Sequence, residues 1–355
     1  MKQFFRLAMI VCLFAGAVVA QSKTGPNTPT GKRTTATLTK SSSASSVVND
    51  ELLALLPASD LLAVIDLNRL FNQLLPSLAG TQTGGLDKAA RELAEFAQNT
   101  GIDTSKVKRA VLGFNMNGLQ GTGAIIVSGV DLTIPQIEAA MKELKAEFKT
   151  SDYNGKTLFS VTSKVKAPEI GPLSLNTDQL ALAALGGQRF VLGDVSAIKK
   201  VIDIAAGSAK GGVKPELAAA LGEAKASALA RFAFSIPESL KTEAADQGDL
   251  FQSISTIKAV FGALDATADL TLLLDTVMRA SSQKDANELA DSLKGLLSLA
   301  RGIFAGGDDA QSATIGKLLD QIKIVSKLSD VSLSISLPRA TLDQLLKKPA
   351  PAEKK

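Results

Sequence analysis

The chain has 355 residues, of which 45% are apolar, 21% charged and 4% aromatic, enough for one large or two ordinary globular domains and unlike a disordered tail or a collagen. It holds no His, no Trp, one Tyr (Tyr153) and one Cys (Cys12), a thin inventory for acid–base, nucleophilic or transition-metal chemistry. The formal charge is +4, but setting aside eight basic residues and Glu353 at the termini leaves 31 basic against 34 acidic residues over Val47–Ala352, with few aromatics, so no nucleic-acid partner is expected.

Lys2 and Arg6 precede an apolar run from Leu7 to Ala20, followed by polar Gln21, the charged, apolar and small-residue order of a signal peptide over residues 1–20. The run is 14 residues long, short of the roughly 20 that cross a bilayer, so no transmembrane helix is expected in the mature chain. Met9-Ile10-Val11 lacks the small residue of a lipid-attachment site before Cys12. The mature chain is then cysteine-free, and its stability must come from burial rather than disulfides. Residues 21–46, rich in Ser and Thr with Lys23, Lys32, Arg33, Lys40 and no acid, read as a disordered linker, and 347–355 as a disordered tail.

Glu51–Leu56 reads as a short helix stopped by Pro57, Leu61–Ile65 as a strand, and Asp66 as the cap of a helix from Leu67. A helix follows from Leu86 to about Gln98, ended by Gly101. Arg109–Phe114 and Ala124–Ser128 are adjacent strands, with Gly121-Thr122-Gly123 in the hairpin loop between them. Ile134-Pro135 opens a helix carrying Ile137, Met141, Leu144 and Phe148 on one side. Asn154-Gly155 and Gly186-Gly187 mark two further hairpins, and Asp194 caps a helix to about Ala206. Later come a strand over Ala230–Ile236, an Ala259–Gly262 strand paired with Leu270–Leu274, an amphipathic helix carrying Ala286, Leu289 and Leu293, and the alternating Val331–Leu337, which puts its three serines in water.

The later order repeats the earlier one, and Ala259-Val260-Phe261-Gly262 echoes Ala110-Val111-Leu112-Gly113. Hairpins outnumber lone strands between helices. The expected fold class is therefore α+β, largely antiparallel sheets with helices packed on one face, duplicated into two similar lobes over 47–222 and 228–346.

Leu56–Leu70, Tyr153–Leu158 and Phe190–Asp194 resemble a group of uncharacterised secreted proteins predicted in acidobacterial genomes, over most of residues 47–240. The resemblance implies no activity, cofactor or catalytic residue.

Ser196-Ala197-Ile198-Lys199 has the S-x-x-K spacing that sets a serine and its base on one helix face, and so do Ser255/Lys258, Ser105/Lys108, Ser163/Lys166 and Ser281/Lys284. That recurrence, without the companion motifs, makes Ser196 a helix-start residue. Gly306-Gly307-Asp308-Asp309 lacks the ligand alternation of a calcium loop. Asp60 reads as a turn residue. No catalytic, cofactor-binding or metal residue is assigned. The reading is an exported, periplasmic or extracellular, non-enzymatic protein that binds a protein partner or apolar ligand in the cell envelope. The alternatives are a serine hydrolase working without His and a surface structural or adhesion component.

Overall fold

The computed structural model describes residues 50–74, 76–77, 86–117, 120–162, 174–175, 180–238, 241, 253–305 and 310–341. The signal, linker and tail segments, Ser163/Lys166 and Gly306–Asp309 lie outside the described residues. Among the described residues thirteen strands hydrogen-bond into one sheet: β1 (Leu61–Asp66), β2 (Arg109–Asn117), β3 (Gln120–Ser128), β4 (Phe148–Tyr153), β5 (Lys156–Val161), β6 (Ser174–Leu175), β7 (Leu180–Ala184), β8 (Arg189–Asp194), β9 (Ala230–Phe234), β10 (Ile257–Ala266), β11 (Leu272–Ala280), β12 (Lys323–Lys327) and β13 (Asp330–Leu337). Their order is β12-β13-β11-β10-β9-β1-β2-β3-β8-β7-β5-β4, with the two-residue β6 parallel to β3 and every other pairing antiparallel. The principal helices are α1 (Leu86–Thr100), α2 (Ile134–Glu143), α3 (Val195–Ala205), α4 (Pro215–Glu223), α5 (Gln283–Ala305) and α6 (Ala310–Asp320).

Local signals act where expected. Asp66 accepts from Arg69 N at 2.9 Å, and Asp194 accepts from Ser196 N at 2.8 Å. Thr133 and Gln136 form a capping box ahead of Pro135. Asn154 and Gly155, with φ of 49° and 72°, turn β4 into β5 in the left-handed conformation that this dipeptide favours. Two expectations differ in detail. The helix carrying Ile137 ends at Glu143 because Lys145 adopts φ 51°, so Phe148 opens β4 instead, although its ring still packs 5.7 Å from that of Phe159 in the same core cluster. Along β13 the alternation holds with Val331 and Leu337 buried, but Ser332, Ser334 and Ser336 are half-buried rather than in water.

Counted outward from the central β9–β1 pair, β1-β2-β3-β8-β7 and β9-β10-β11-β13-β12 share part of their connectivity, a lone strand, a hairpin and, after a helix, a further hairpin, but the β4–β5 hairpin and β6 stand between α2 and β7 with no counterpart on the other side, so the two sides are not copies of one unit. The lettered echo does not align with it. Ala110 and Leu112 share a face, through Ile65 and Ala63, with Ala230 and Phe232, and therefore with Leu264 and Gly262. Superposing Ala110–Gly113 on Ala259–Gly262 is thus one residue out of register and turns each side chain to the wrong face. Val111 and Phe261, unlike letters, are the pair that enter one core cluster.

The α+β, antiparallel architecture carries helices on both faces, not one. α3 and α4 cover one face, burying Ile198, Val201, Ile202, Leu217 and Leu221 against Leu62, Val111, Ile126, Leu158 and Val191. On the other face, α2 packs Ile137 and Met141 against Val127 and Phe159, and α5 packs Ala286, Leu289 and Ala290 against Val260, Met278 and Val331. Strands bounded by two cores need apolar residues at successive positions, as in Ala110-Val111-Leu112 and Phe190-Val191-Leu192.

Candidate functional site

The second face has a middle between α2 and α5, where strand residues alone form a cluster: Ala230, Phe232, Leu264 and Leu274 are buried, with Ala63, Ile65, Phe234 and Ile335 packed against them. Two rings on this face are seated by an unusual device. Phe114 lies across β3, and a Cβ at Gly121 or Gly123 would stand 2.2 or 2.3 Å from its ring atoms. These glycines belong to β3 and not to the hairpin loop, because their missing side chains make room for the ring. Phe232 does the same on β10, where a Cβ at its cross-strand partner Gly262 would meet Phe232 Cζ at 2.8 Å. Rings laid over glycines supply apolar area while keeping the face low.

Beside Gly262, its partner Thr276 is 3% exposed, and its Oγ1 has no hydrogen-bond partner among the described residues. A buried hydroxyl left unpaired costs roughly 1–3 kcal/mol, so this atom is a polar point in an apolar floor that no described residue satisfies. The sequence offered a signal that the reading passed over: Thr276 keeps the parity of Leu274 and Met278 in Leu272–Met278, which assigns it to the core face.

Charged side chains converge elsewhere as ion pairs that tie distant strands. Asp265, its side chain 11% exposed, accepts from Arg69 Nη1 at 2.6 Å and Lys225 Nζ at 2.5 Å, while Arg69 also donates to the Ser227 and Ala266 carbonyls. Burial pushes the Asp265 carboxyl up, but the hydrogen bonds from Lys225, Ala266 N and Arg69 outweigh it and hold it below the usual range. Neighbouring Asp275 is exposed at its surface, yet partial desolvation of its carboxyl raises it. Arg279 donates to both carboxylate oxygens of Glu223 at 2.8 Å and to Asp330 at 2.9 and 3.0 Å, which hold its guanidinium well above the usual range. Asp60 accepts from Lys214 Nζ at 2.7 Å and Met116 N at 3.0 Å, so it locks the entrance to β1 rather than serving an open turn.

The S-x-x-K residues do not assemble. Ser196 Oγ donates to Asp194 at 2.6 Å, while Lys199 Nζ stands 5.0 Å from the centroid of the Tyr153 ring. Lys258 lies on β10, beyond the helical turn that holds Ser255. Ser105 Oγ donates to Asp103, and Ser281 Oγ to the Thr256 carbonyl. Among the described residues no three acidic, His or Cys side chains gather where they could hold a metal ion.

No family model and no curated protein matches the chain. Solved structures of TP0453 align with it: crystal forms I, III and IV give TM-scores of 0.43, 0.46 and 0.42 at 7%, 7% and 8% identity, over 84%, 84% and 83% of this chain and 96%, 97% and 96% of theirs.

Proposed function

We propose that the chain is an exported, non-enzymatic envelope protein that binds an apolar ligand bearing one polar group, of the fatty-acid class, on the sheet face between α2 and α5. The observation that carries this reading is the Thr276 hydroxyl, buried and unpaired beside the flattened floor of Phe232 and Gly262. A ligand oxygen there would satisfy the hydroxyl while its chain lay against Leu274, Leu264 and Ile335. The N-terminal charge and hydropathy pattern supports export.

The experiment uses chain recovered from the cell envelope or medium. N-terminal sequencing should begin at Gln21, and solvent extraction with mass spectrometry should find an acyl-chain compound. In solution, palmitate should displace a bound naphthylamine dye, and Thr276→Val should weaken palmitate about fivefold, the worth of one hydrogen bond of about 1 kcal/mol. The same substitution should raise the unfolding midpoint of the ligand-free protein, since it removes an unpaired buried hydroxyl. Absence of saturable dye or palmitate binding refutes the reading, and so does equal palmitate affinity in parent and Thr276→Val. Labelling by a fluorophosphonate that disappears in Ser196→Ala or Ser255→Ala would refute its non-enzymatic part.

A further inference from the structure

At the end of the opposite face, Asp66, Arg109, Ser128 and Arg189 stand side by side as cross-strand partners on β1, β2, β3 and β8. Arg109 and Arg189 are two strands apart, about 10 Å between backbones, and point to the same side. With Lys108 and Gln188 they line an open cleft of about 580 Å³, whose polar lining is completed on one side by Asp50 and Glu51.

The charges in this cleft do not balance. Asp50, its side chain 5% exposed, is already engaged: it accepts from Arg109 Nη1 at 2.9 Å, Arg109 Nη2 at 3.2 Å and Leu52 N at 3.0 Å. Buried Arg231 on β9 lies in the field of the same carboxylate and of Arg109. Desolvation lowers its guanidinium, Asp50 opposes that, and Arg109 adds to it. Asp50 thus pairs with Arg109 and only acts on Arg231 through space, while Asp66, the neighbour of Arg109 on β1, accepts from Arg69 N and lies outside the lining. Arg189 spends Nε on the Gly186 carbonyl at 3.4 Å, and neither its terminal nitrogens nor Lys108 Nζ makes a hydrogen bond or ion pair to a described residue. Among the described residues, exposed Glu51 is the only other acid in the lining.

We propose that this cleft binds a phosphate-class oxyanion, held by the Arg189 fork and Lys108 with Arg109 behind them. A planar guanidinium matches two phosphate oxygens at once, and a lysine adds a mobile point charge. The group has two sources, free phosphate and the headgroup of an anionic lipid, and the experiment separates them. The site is on the face opposite the apolar floor, so it stands or falls independently of the fatty-acid reading.

The test measures the mature chain by calorimetry with inorganic phosphate and by co-sedimentation with vesicles of phosphatidylglycerol or of phosphatidylcholine, alongside Arg189→Gln and a Lys108→Gln/Arg189→Gln double variant. Both substitutions lie on half-exposed or exposed side chains and leave the Asp50–Arg109 pair intact. Phosphate binding that falls at least tenfold in the double variant supports the site with a free ligand. Preference for phosphatidylglycerol vesicles that phosphate competes away, and that falls by a similar factor in the double variant, supports it with a lipid headgroup. The basic linker is common to all three proteins, so a difference among them reports the cleft. Equal binding of phosphate and of phosphatidylglycerol by parent and double variant, or no binding by the parent, overturns the proposal. Unchanged unfolding midpoints show that the variants are folded.

Discussion

Asp265 and Asp275 make a paired experiment, because two carboxylates on one face of the sheet, near the same Lys225, are shifted in opposite directions. Asp265→Asn keeps the shape but removes the charge that Arg69 and Lys225 share. Hydrogen bonds to charged groups contribute about 1.5–3 kcal/mol each, and breaking a fully buried ion pair costs about 3–5 kcal/mol. The structure argues for less than either sum. The Arg69 and Lys225 side chains are 27% and 56% exposed, and Arg69 keeps the Ser227 and Ala266 carbonyls at 2.9 and 2.7 Å. A loss of about 2 kcal/mol at neutral pH is expected after that discount.

The pH dependence carries the sharper test. A carboxyl lowered in the folded state contributes stability that is present above its unfolded value and lost as pH falls through the folded one, so the Asp265→Asn deficit should shrink at strongly acidic pH. Asp275 has the reverse sign. Burial raises it, Lys225 partly opposes this, and the charge of Asp265 reinforces it, so its ionisation costs stability as pH rises from acid towards neutral. Asp275 is an exposed residue, so solvent screening keeps the effect small: Asp275→Asn should stabilise the protein slightly at neutral pH and have little effect in acid. Urea unfolding of parent and both variants at neutral and strongly acidic pH reads all of this. A pH-independent loss in Asp265→Asn would mean that packing, not charge, is what Asp265 supplies, and destabilisation by Asp275→Asn at neutral pH would refute the assignment of its shift to burial.

Three other outcomes are expected. Gly193, at φ +149°, faces backbone: a Cβ there would stand 2.2 Å from Gly123 O and 2.9 Å from Ala124 Cα, so Gly193→Ala should break the β3–β8 ladder and cost more than about 3 kcal/mol, whereas Gly155→Ala, with nothing within 4 Å, should cost about 1 kcal/mol in denaturant titrations. Leu328, 69% exposed at φ 54°, turns β12 into β13, and Leu328→Gly should raise stability by about 0.5–1 kcal/mol, the relief of a left-handed leucine less the extra chain entropy of glycine. Tyr153→Phe deletes the 2.9 Å bond to Asp203 and should return the hairpin of β4 and β5 to faster amide exchange with little change in global stability.

What could be read from the sequence is local, and the reason is physical. Asp66, Asp194, Thr133 and Asn154-Gly155 act within three or four residues of themselves, and each does what its chemistry requires wherever the remainder of the chain lies. The union of all strands through β9 and β1 rests instead on backbone pairing, Leu61 with Phe234 and Ile65 with Ala230, between segments far apart in sequence. Arg69 and Asp265 are 196 positions apart, and no local pattern joins them. Leu328 shows the opposite failure: a hairpin closed without Asn or Gly, where the pairing of Ile324 with Leu333 and Val325 with Ser332 imposes a turn that leucine alone would refuse. Both proposed sites belong to this second category. Thr276 is unpaired only because β9, β10 and β13 surround it with Phe232, Gly262 and Leu333, and Arg189 meets Arg109 only because β3 separates β8 from β2 by one strand. A reading that works residue by residue finds a threonine in a strand and an arginine after a turn. The proposed chemistry arises where non-local pairing leaves the hydroxyl without a partner and the guanidinium fork without a counterion among the described residues, which is the condition that a ligand would meet.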